Sequence, residues 1–270
     1  MQAVRFHQYG DSTVLTAEDV PTPTPGPGQV LLKVAATSFT PADAAIRAGH
    51  LRDMLPLDLP HTPGVDVAGT ITALGEGVTG WTDGDTVVAF LPLNAAGAAA
   101  DHVLAAADPL APAPTTVDLP DAAALPATGL TAWQALFDHA ALTAGQSILI
   151  NGAGGAAGTY AVQLAHHTGA HVTAAASPAS ADRIRGHGAD RIIDSTTTPV
   201  TKAAGIRYDV VLNLVANHLA AAAYDHSVKR IGAQFWLGLT RCTTPRSGRA
   251  DPRRLAAASD AGDRALGFGP

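Results

Sequence analysis

The sequence predicts an α/β chain in which a β-rich first half precedes a doubly wound parallel sheet. One observation is a strand, tight turn and helix between residues 147 and 169, where an apolar run stops at a cluster of small residues. A second is the alternation of strand-like and helical segments that follows, which is typical of a parallel sheet with crossover helices. A third is the succession of short strand-like runs and Gly-containing turns in the first half.

Composition narrows the functional classes. The chain has 270 residues, of which 47% are hydrophobic and 15% charged, enough for a sizeable core divided between two domains. A formal charge of −6 disfavours nucleic acid and anionic membranes as partners. The single cysteine excludes an internal disulfide framework, and the N-terminus lacks the apolar segment of a signal peptide. We therefore expect a soluble, cytoplasmic protein.

Turn and cap residues predict the N-terminal elements. Two short apolar segments flank a turn-prone Gly-Asp-Ser sequence and predict a hairpin. Four prolines keep the next segment extended, and a strand begins at Val30. The sequence PADAAIRAG predicts a short helix with Thr40 as its N-cap, Pro41 at its first position and Gly49 at its end.

The rest of the chain changes from β to mixed patterning. Residues 64–91 alternate strand-like runs with turns, and residues 98–106 predict another strand. Residues 122–139 predict two helical pieces divided by Pro126 and Gly129. From residue 147 onward, strands of a parallel sheet are predicted at 147–151, 171–175, 191–194, 209–215 and 233–237.

The turn after residue 151 carries the clearest chemical indication. Ala153, Gly155 and Gly158 have the spacing of the dinucleotide-binding fingerprint, with alanine at its first position. The first small residue permits a tight turn, the second lets the backbone approach a pyrophosphate, and the third allows close packing of helix on strand. N–H groups at the helix start then face the anion. A purely structural turn without a ligand is the alternative.

Seven stretches, taken together and in order, match one known family. They are PTPTPGPGQVLLKV, SFTPADAAIRAG, HTPGVDVAGTITALGEGV, GDTVV, LPATGLTAWQALFDHA, GQSILINGAGGAAGTYAVQLA and GADRIIDSTT. The chain resembles the zinc-independent quinone oxidoreductases of the medium-chain dehydrogenase/reductase superfamily. The resemblance implies a GroES-like domain (1–122) and a Rossmann dinucleotide-binding domain (123–245). Residues 246–270 depart from the family pattern and form an Arg-rich tail, which we expect to be partly disordered. It also implies hydride transfer from NADPH to a quinone, enone or other conjugated carbonyl, for example in secondary metabolism.

The same resemblance implies the candidate catalytic groups. Zinc-dependent relatives place a Cys and a His-Glu pair at positions that correspond here to Thr40 and to Val65 and Asp66, too few donors for a catalytic zinc. We therefore expect no metal. Developing enolate charge must then be stabilised by hydrogen-bond donors, and Thr40 and His50 are the candidates. The alternatives are that His50 is an ordinary loop residue and that Asp43 only braces the fold.

The expected cofactor is NADPH. Ser177 stands where NAD-binding sites usually carry an acidic residue, so a 2′-phosphate is not repelled. Arg183 or Arg185 would have to bind that phosphate, because Ala179 occupies the family's usual Lys or Arg position. An arginine on the helix surface that binds nothing is the alternative. The expected cofactor-binding residues at the glycine turn, at the end of the second parallel strand and on the helix after it are Ala153, Gly154, Gly155, Ala156, Ala157, Gly158, Ser177 and Arg183. The family resemblance implies four more at the nicotinamide end: Thr131, Val215, Gly238 and Leu239.

Departures from the family pattern keep other functions open. Ser195 replaces a Tyr that the family often places in the turn after the third strand, and the chain ends before family members normally do. A non-redox cyclase or lyase on this scaffold, or a non-catalytic nucleotide-binding or interaction protein, are therefore the alternatives. The shortened C-terminus also predicts an uncovered apolar face, and with it a homodimer.

Overall fold

The computed structural model of the chain describes residues 1–200 and 208–215 in full and residues 229–232 as backbone. The chain divides into two compact units, Met1–Ala127 and Thr128–Pro270. The predicted strand at 233–237 and the predicted tail at 246–270 lie outside the described residues.

Antiparallel strands form the first unit. β1 (Gln2–Phe6) and β2 (Leu15–Asp19) make the predicted hairpin, with a 3-10 turn at Ser12–Val14 between them. A five-stranded sheet contains β3 (Gln29–Ala36), β4 (Asp66–Leu74), β5 (Thr86–Phe90), β6 (His102–Ala106) and β7 (Ala111–Pro112), in the order β6-β3-β4-β5-β7. Its core includes Val30, Leu32, Val67, Ile71 and Val87.

The helix predicted from its caps is present at the predicted position. α1 (Pro41–Ala48) begins after Thr40, whose extended backbone and side chain form the N-cap, and ends at Gly49. Pro41 lies in the first turn, where its missing N–H would have no intrahelical partner. Local signals at both ends therefore determine this element.

A series of helical segments leads into the second unit. A 3-10 turn at Asp121–Ala124 precedes α2 (Pro126–Trp133), and a π-helical turn follows at Gln134–His139. The prediction that Pro126 separates two pieces is confirmed, because α2 begins there. The prediction for Gly129 is wrong: it lies inside α2, since one glycine lowers helix stability by only about 1 kcal/mol and does not by itself end a helix.

The second unit contains the predicted parallel sheet. Its elements are β8 (Ser147–Asn151), α3 (Ala156–His167), β9 (His171–Ala176), α4 (Pro178–Gly186), β10 (Arg191–Asp194), β11 (Val210–Asn213) and β12 (Lys229–Gly232). The strands are parallel and lie in the order β10-β9-β8-β11-β12. Strand order therefore reverses between β8 and β11, where doubly wound sheets bind their ligands.

Both faces of this sheet are covered, which explains its continuous apolar strand sequences. Ile148, Ile150 and Val172 pack with Val162 of α3 in one buried cluster. Leu149 and its neighbours Ala175, Ile193, Tyr208 and Val211 form a second cluster. Alternate residues of β8 thus belong to different cores, and the carboxyl ends of the strands are held firmly at one edge.

Candidate active site

The glycine-containing turn joins β8 to α3 and leaves backbone donors open. Gly155 is the N-cap of α3 and has no side chain with which to cap it. The first three N–H groups of the helix, those of residues 156–158, have no partner within the helix. Gly155 N donates to Gly152 O (3.1 Å) and Ala153 N donates to Ala175 O (3.1 Å), so the turn is fixed to itself and to β9. A rigid turn therefore presents open donors at the positive end of a helix, which favours an anion.

Gly158 supplies the close helix–strand approach that the fingerprint needs at its third position. A Cβ built on Gly158 would lie 2.3 Å from Gly152 O and 2.6 Å from Ala153 Cα. Both contacts are with backbone, which cannot rotate away. A side chain at this position would therefore push α3 off the end of β8.

The two candidate arginines of α4 differ in what they contact. Arg183 reaches back to the glycine turn, where Nη1 donates to Thr159 Oγ1 (2.7 Å) and Nη2 donates to Gly154 O (2.9 Å). Arg185 Nη1 instead donates to Asp182 Oδ1 (2.7 Å) on its own helix, in an exposed pair. Of the two, Arg183 is the arginine that lies at the turn.

Ser177 lies at the carboxyl end of β9, on the same side of the sheet as the glycine turn. It follows the last residue of β9 and is the N-cap of α4. Its hydroxyl lies 3.2 Å from Ser180 Oγ, and Ser180 N donates to Ser177 O (3.0 Å). No acidic side chain stands at this strand end, as the sequence indicated.

The other expected cofactor residues are spread over several elements. Val215 follows β11, and Thr131 is buried within α2. Gly238 and Leu239 lie outside the described residues. Sequence reasoning missed Asn151 and Asn213, which end β8 and β11 and are hydrogen-bonded to each other. The available signal was a polar residue at the carboxyl end of each buried apolar strand.

In the first unit, Thr40 belongs to a buried capping box. Thr40 Oγ1 and Thr40 N both donate to Asp43 Oδ2, at 2.6 and 2.8 Å, and Asp43 N donates back to Thr40 Oγ1 at 3.3 Å. Asp43 Oδ1 accepts from Gly64 N at 3.0 Å and so ties α1 to the segment before β4. These contacts agree with a bracing role for Asp43. They also direct the single hydroxyl proton of Thr40 at Asp43 rather than at a ligand.

His50 and Thr40 lie at opposite ends of α1. An eight-residue helix rises about 12 Å, and His50 lies beyond its last residue on an exposed turn. The structure therefore does not bring the two candidate catalytic side chains together.

Asp66 forms a second buried polar group in the first unit. It is the first residue of β4 and 1% exposed; Oδ1 accepts from Ala127 N (2.7 Å), and Oδ2 accepts from Ser38 Oγ. Burial raises the pKa of the Asp66 carboxyl to about 6, against the lowering effect of both hydrogen bonds, and the nearby charge of Asp43 adds to the rise. Sequence reasoning identified the position but not these partners.

Across residues 1–200 and 208–215, no three His, Cys, Asp or Glu side chains are grouped so as to hold a metal ion. None of the helices in the described ranges has the length and apolar character that crossing a membrane requires.

The family described as Alcohol dehydrogenase GroES-like domain matches residues 26–115. The chain is 35% identical over 241 residues to a chloroplast envelope quinone oxidoreductase homolog of Arabidopsis thaliana, an alignment that covers 86% of this chain and 73% of that protein. It is also 35% identical to the quinone oxidoreductase of Sus scrofa, over 80% of this chain and 67% of that protein.

Solved structures give the same result. The quinone oxidoreductase of Coxiella burnetii superimposes with a TM-score of 0.78 at 26% identity, covering 98% of this chain and 88% of that one. The CurK enoyl reductase superimposes with a TM-score of 0.77 at 24% identity and therefore supports the fold alone.

Proposed function

Because this chain belongs to the quinone oxidoreductases of the medium-chain dehydrogenase/reductase superfamily, we propose that it reduces a quinone, enone or other conjugated carbonyl with NADPH. This result confirms the family that the sequence motifs indicated. The chain is an oxidoreductase, and its family uses a nicotinamide cofactor. The choice of NADPH, the acceptor and the residue roles below are our proposal.

The glycine turn is the observation that carries this proposal. Its open N–H groups lie beside the point where strand order reverses, and Gly158 allows the helix to approach closely enough for them to face a pyrophosphate. Ala153, Gly154, Gly155, Ala156 and Ala157 line this turn. When bound, NADPH supplies the hydride; the protein's task at this edge is to bind and orient it.

Arg183 supports the preference for NADPH. A guanidinium has five N–H donors, and two of those of Arg183 are engaged by the glycine turn. The remaining donors are held at the edge where Ser177 replaces an acidic residue. We propose that they bind the 2′-phosphate, for which the planar guanidinium is well suited.

Hydride addition to a conjugated carbonyl places negative charge on its oxygen, which a hydrogen-bond donor would stabilise. We propose Thr40 as that donor, and this role requires its hydroxyl to turn from Asp43 to the acceptor. We propose His50 as a separate hydrogen-bond donor. It lies at the other end of α1 and therefore cannot bind the same substrate oxygen as Thr40. Homodimer formation also stays a prediction.

The first experiment titrates the purified chain with NADPH and NADH and follows nucleotide fluorescence. A quinone and an enone are then added while absorbance at the nicotinamide band is recorded. We expect NADPH to bind more tightly and to be oxidised. If neither nucleotide binds, the proposed function is wrong, and a scaffold adapted to another ligand becomes the better hypothesis.

Arg183→Ala tests the cofactor preference, with Arg185→Ala as its matched control on the same helix. Losing a charge-assisted hydrogen bond should weaken NADPH binding on the order of tenfold or more. NADH binding should be unchanged, and Arg185→Ala should leave both affinities unchanged. An equal loss for both nucleotides in Arg183→Ala would mean that Arg183 only braces the turn.

A further inference from the structure

Two asparagines face each other at the point where the order of the parallel strands reverses. Asn151 is the last residue of β8, Asn213 is the last residue of β11, and the two are direct register partners. Among the described strands, β8 and β11 lie on either side of the reversal. The pair therefore lies beneath the crevice in which such a sheet holds a dinucleotide.

Hydrogen bonds fix the orientation of both side chains. Asn151 Nδ2 donates to Asn213 Oδ1 at 2.9 Å, and Val215 N donates to the same oxygen at 3.5 Å. The backbone adds a third link, because Leu214 N donates to Asn151 O at 3.0 Å. Since Asn213 Oδ1 accepts two donors, the network assigns oxygen rather than nitrogen to this position.

The same residues bring two loops into contact. Gly152, directly after Asn151, has φ +83°, and a Cβ there would lie 2.9 Å from Val215 Cγ1. The loop after β11 is thus packed on the first residue of the glycine turn. The asparagine pair therefore contacts both sides of this packing, through Val215 N on one side and as the chain neighbour of Gly152 on the other.

We propose that Asn151 and Asn213 are positioning residues, which hold Val215 against the glycine turn and so fix the nicotinamide half of the bound cofactor for hydride transfer. This inference rests on the proposed function. The two mononucleotide-binding halves of such a sheet hold the two ends of a dinucleotide. Ser177 and Arg183 lie in the half that contains β9, whereas the asparagine pair lies at the junction with the half that contains β11. Disturbing the pair should therefore affect catalysis more than adenosine binding.

The test compares Asn213→Leu with Asn213→Asp in the full chain. Leucine has nearly the same size and removes the shared acceptor, whereas aspartate keeps an oxygen for both donors. Three quantities are measured: kcat with saturating NADPH and a quinone, the Kd of 2′,5′-ADP by calorimetry, and the Tm of the chain without nucleotide. The adenosine nucleotide 2′,5′-ADP occupies only the end of the site that the pair does not position.

We expect kcat of Asn213→Leu to fall on the order of tenfold, because sub-ångström misplacement of reacting groups slows transfer strongly. Its Kd for 2′,5′-ADP should stay within about twofold of the wild-type value, and Asn213→Asp should recover most of the activity. If Asn213→Leu does not fold, Asn151→Ser provides the same test, since it removes the donor and leaves a small polar side chain.

Two outcomes overturn the inference. Wild-type kcat in both Asn213→Leu and Asn151→Ser shows that the pair positions nothing. A parallel loss of kcat, 2′,5′-ADP affinity and Tm shows that it only supports the fold. Failure of the wild-type chain to oxidise NADPH is a different result, because it refutes the proposed function and removes the premise of the inference.

Discussion

The two units of the molecule use their polar groups in opposite ways. In the first unit, the carboxylates of Asp43 and Asp66 are buried and accept hydrogen bonds from Thr40, Gly64, Ser38 and Ala127. In the second unit, the start of α3 has no side-chain cap, and its first N–H groups have no partner within the helix. The buried carboxylates of the first unit are thus occupied by hydrogen bonds within the fold, whereas the first N–H groups of α3 are available to a ligand. This contrast supports our proposal that the anionic part of the cofactor binds in the second unit.

The largest expected effect comes from adding a side chain at Gly158, where α3 packs against the glycine turn. Gly158→Ala places a Cβ within 2.6 Å of two backbone atoms, so α3 must move and the N–H groups lose their alignment. We expect a loss of about 3 kcal/mol in the free energy of unfolding and loss of nucleotide binding. Urea denaturation and nucleotide fluorescence measure the two effects.

Gly129→Ala is the matched control for that experiment. Gly129 also lies in a helix, and a Cβ there meets no atom within 4 Å. This variant should be stabilised by up to about 1 kcal/mol, because alanine favours the helix over glycine. Equal destabilisation of both variants would contradict the idea that close packing is specific to Gly158.

A smaller effect is expected from removing the buried Asp43 carboxylate of the first unit, which accepts three hydrogen bonds. Asp43→Ala removes the acceptor of Thr40 N, Thr40 Oγ1 and Gly64 N, all in a buried region. Leaving buried donors unsatisfied should lower the free energy of unfolding by about 2–3 kcal/mol, measured by urea denaturation.

Asp11→Ala is the control that shows whether the loss of stability in Asp43→Ala comes from burial or from the loss of a helix cap. Asp11 also caps a helical turn through hydrogen bonds from Thr13, but it is exposed, so water can replace it. We expect a clearly smaller decrease in this variant. If the two variants lose equal stability, burial adds nothing to the contribution of Asp43. The distinction between the buried polar groups of the first unit and the uncapped helix start of the second then fails.

How much of this could be predicted from the sequence depends on the separation of the interacting residues. The caps of α1 and the turn after β8 are set by neighbouring residues, and both were predictable. The Asp43–Gly64 and Asn151–Asn213 contacts join residues 21 and 62 positions apart, so no local pattern indicates them. The choice between Arg183 and Arg185 likewise required the position of α4 against the glycine turn.

Gly129 shows the opposite error, in which a local signal was given too much weight. Glycine lowers helix stability, but the neighbouring Ala132, Ala135 and Leu136 are buried in the core of the second unit and hold this region in place. Tertiary packing therefore outweighs one unfavourable residue.

The last prediction concerns pH and uses Asp66, whose pKa burial raises to about 6 from an unfolded value of 3.8. The folded state therefore binds the proton more tightly than the unfolded state, and ionisation of Asp66 destabilises the fold as pH rises through 6. Lowering the pH from 7 to 5 should raise the free energy of unfolding of the wild type by about 1 kcal/mol relative to Asp66→Asn, which has no such proton to bind.

Asp209→Asn is the control of opposite sign. Hydrogen bonds from Ser147 lower the pKa of Asp209, so the stability that Asp209 contributes is lost only below about pH 4. The difference in the free energy of unfolding between wild type and Asp209→Asn should therefore stay constant between pH 7 and 5. Urea denaturation at several pH values gives both differences. A constant difference between wild type and Asp66→Asn would show that Asp66 is well solvated, and its hydrogen bonds to Ser38 and Ala127 would then resemble the exposed contacts of Asp209 rather than the buried ones of Asp43.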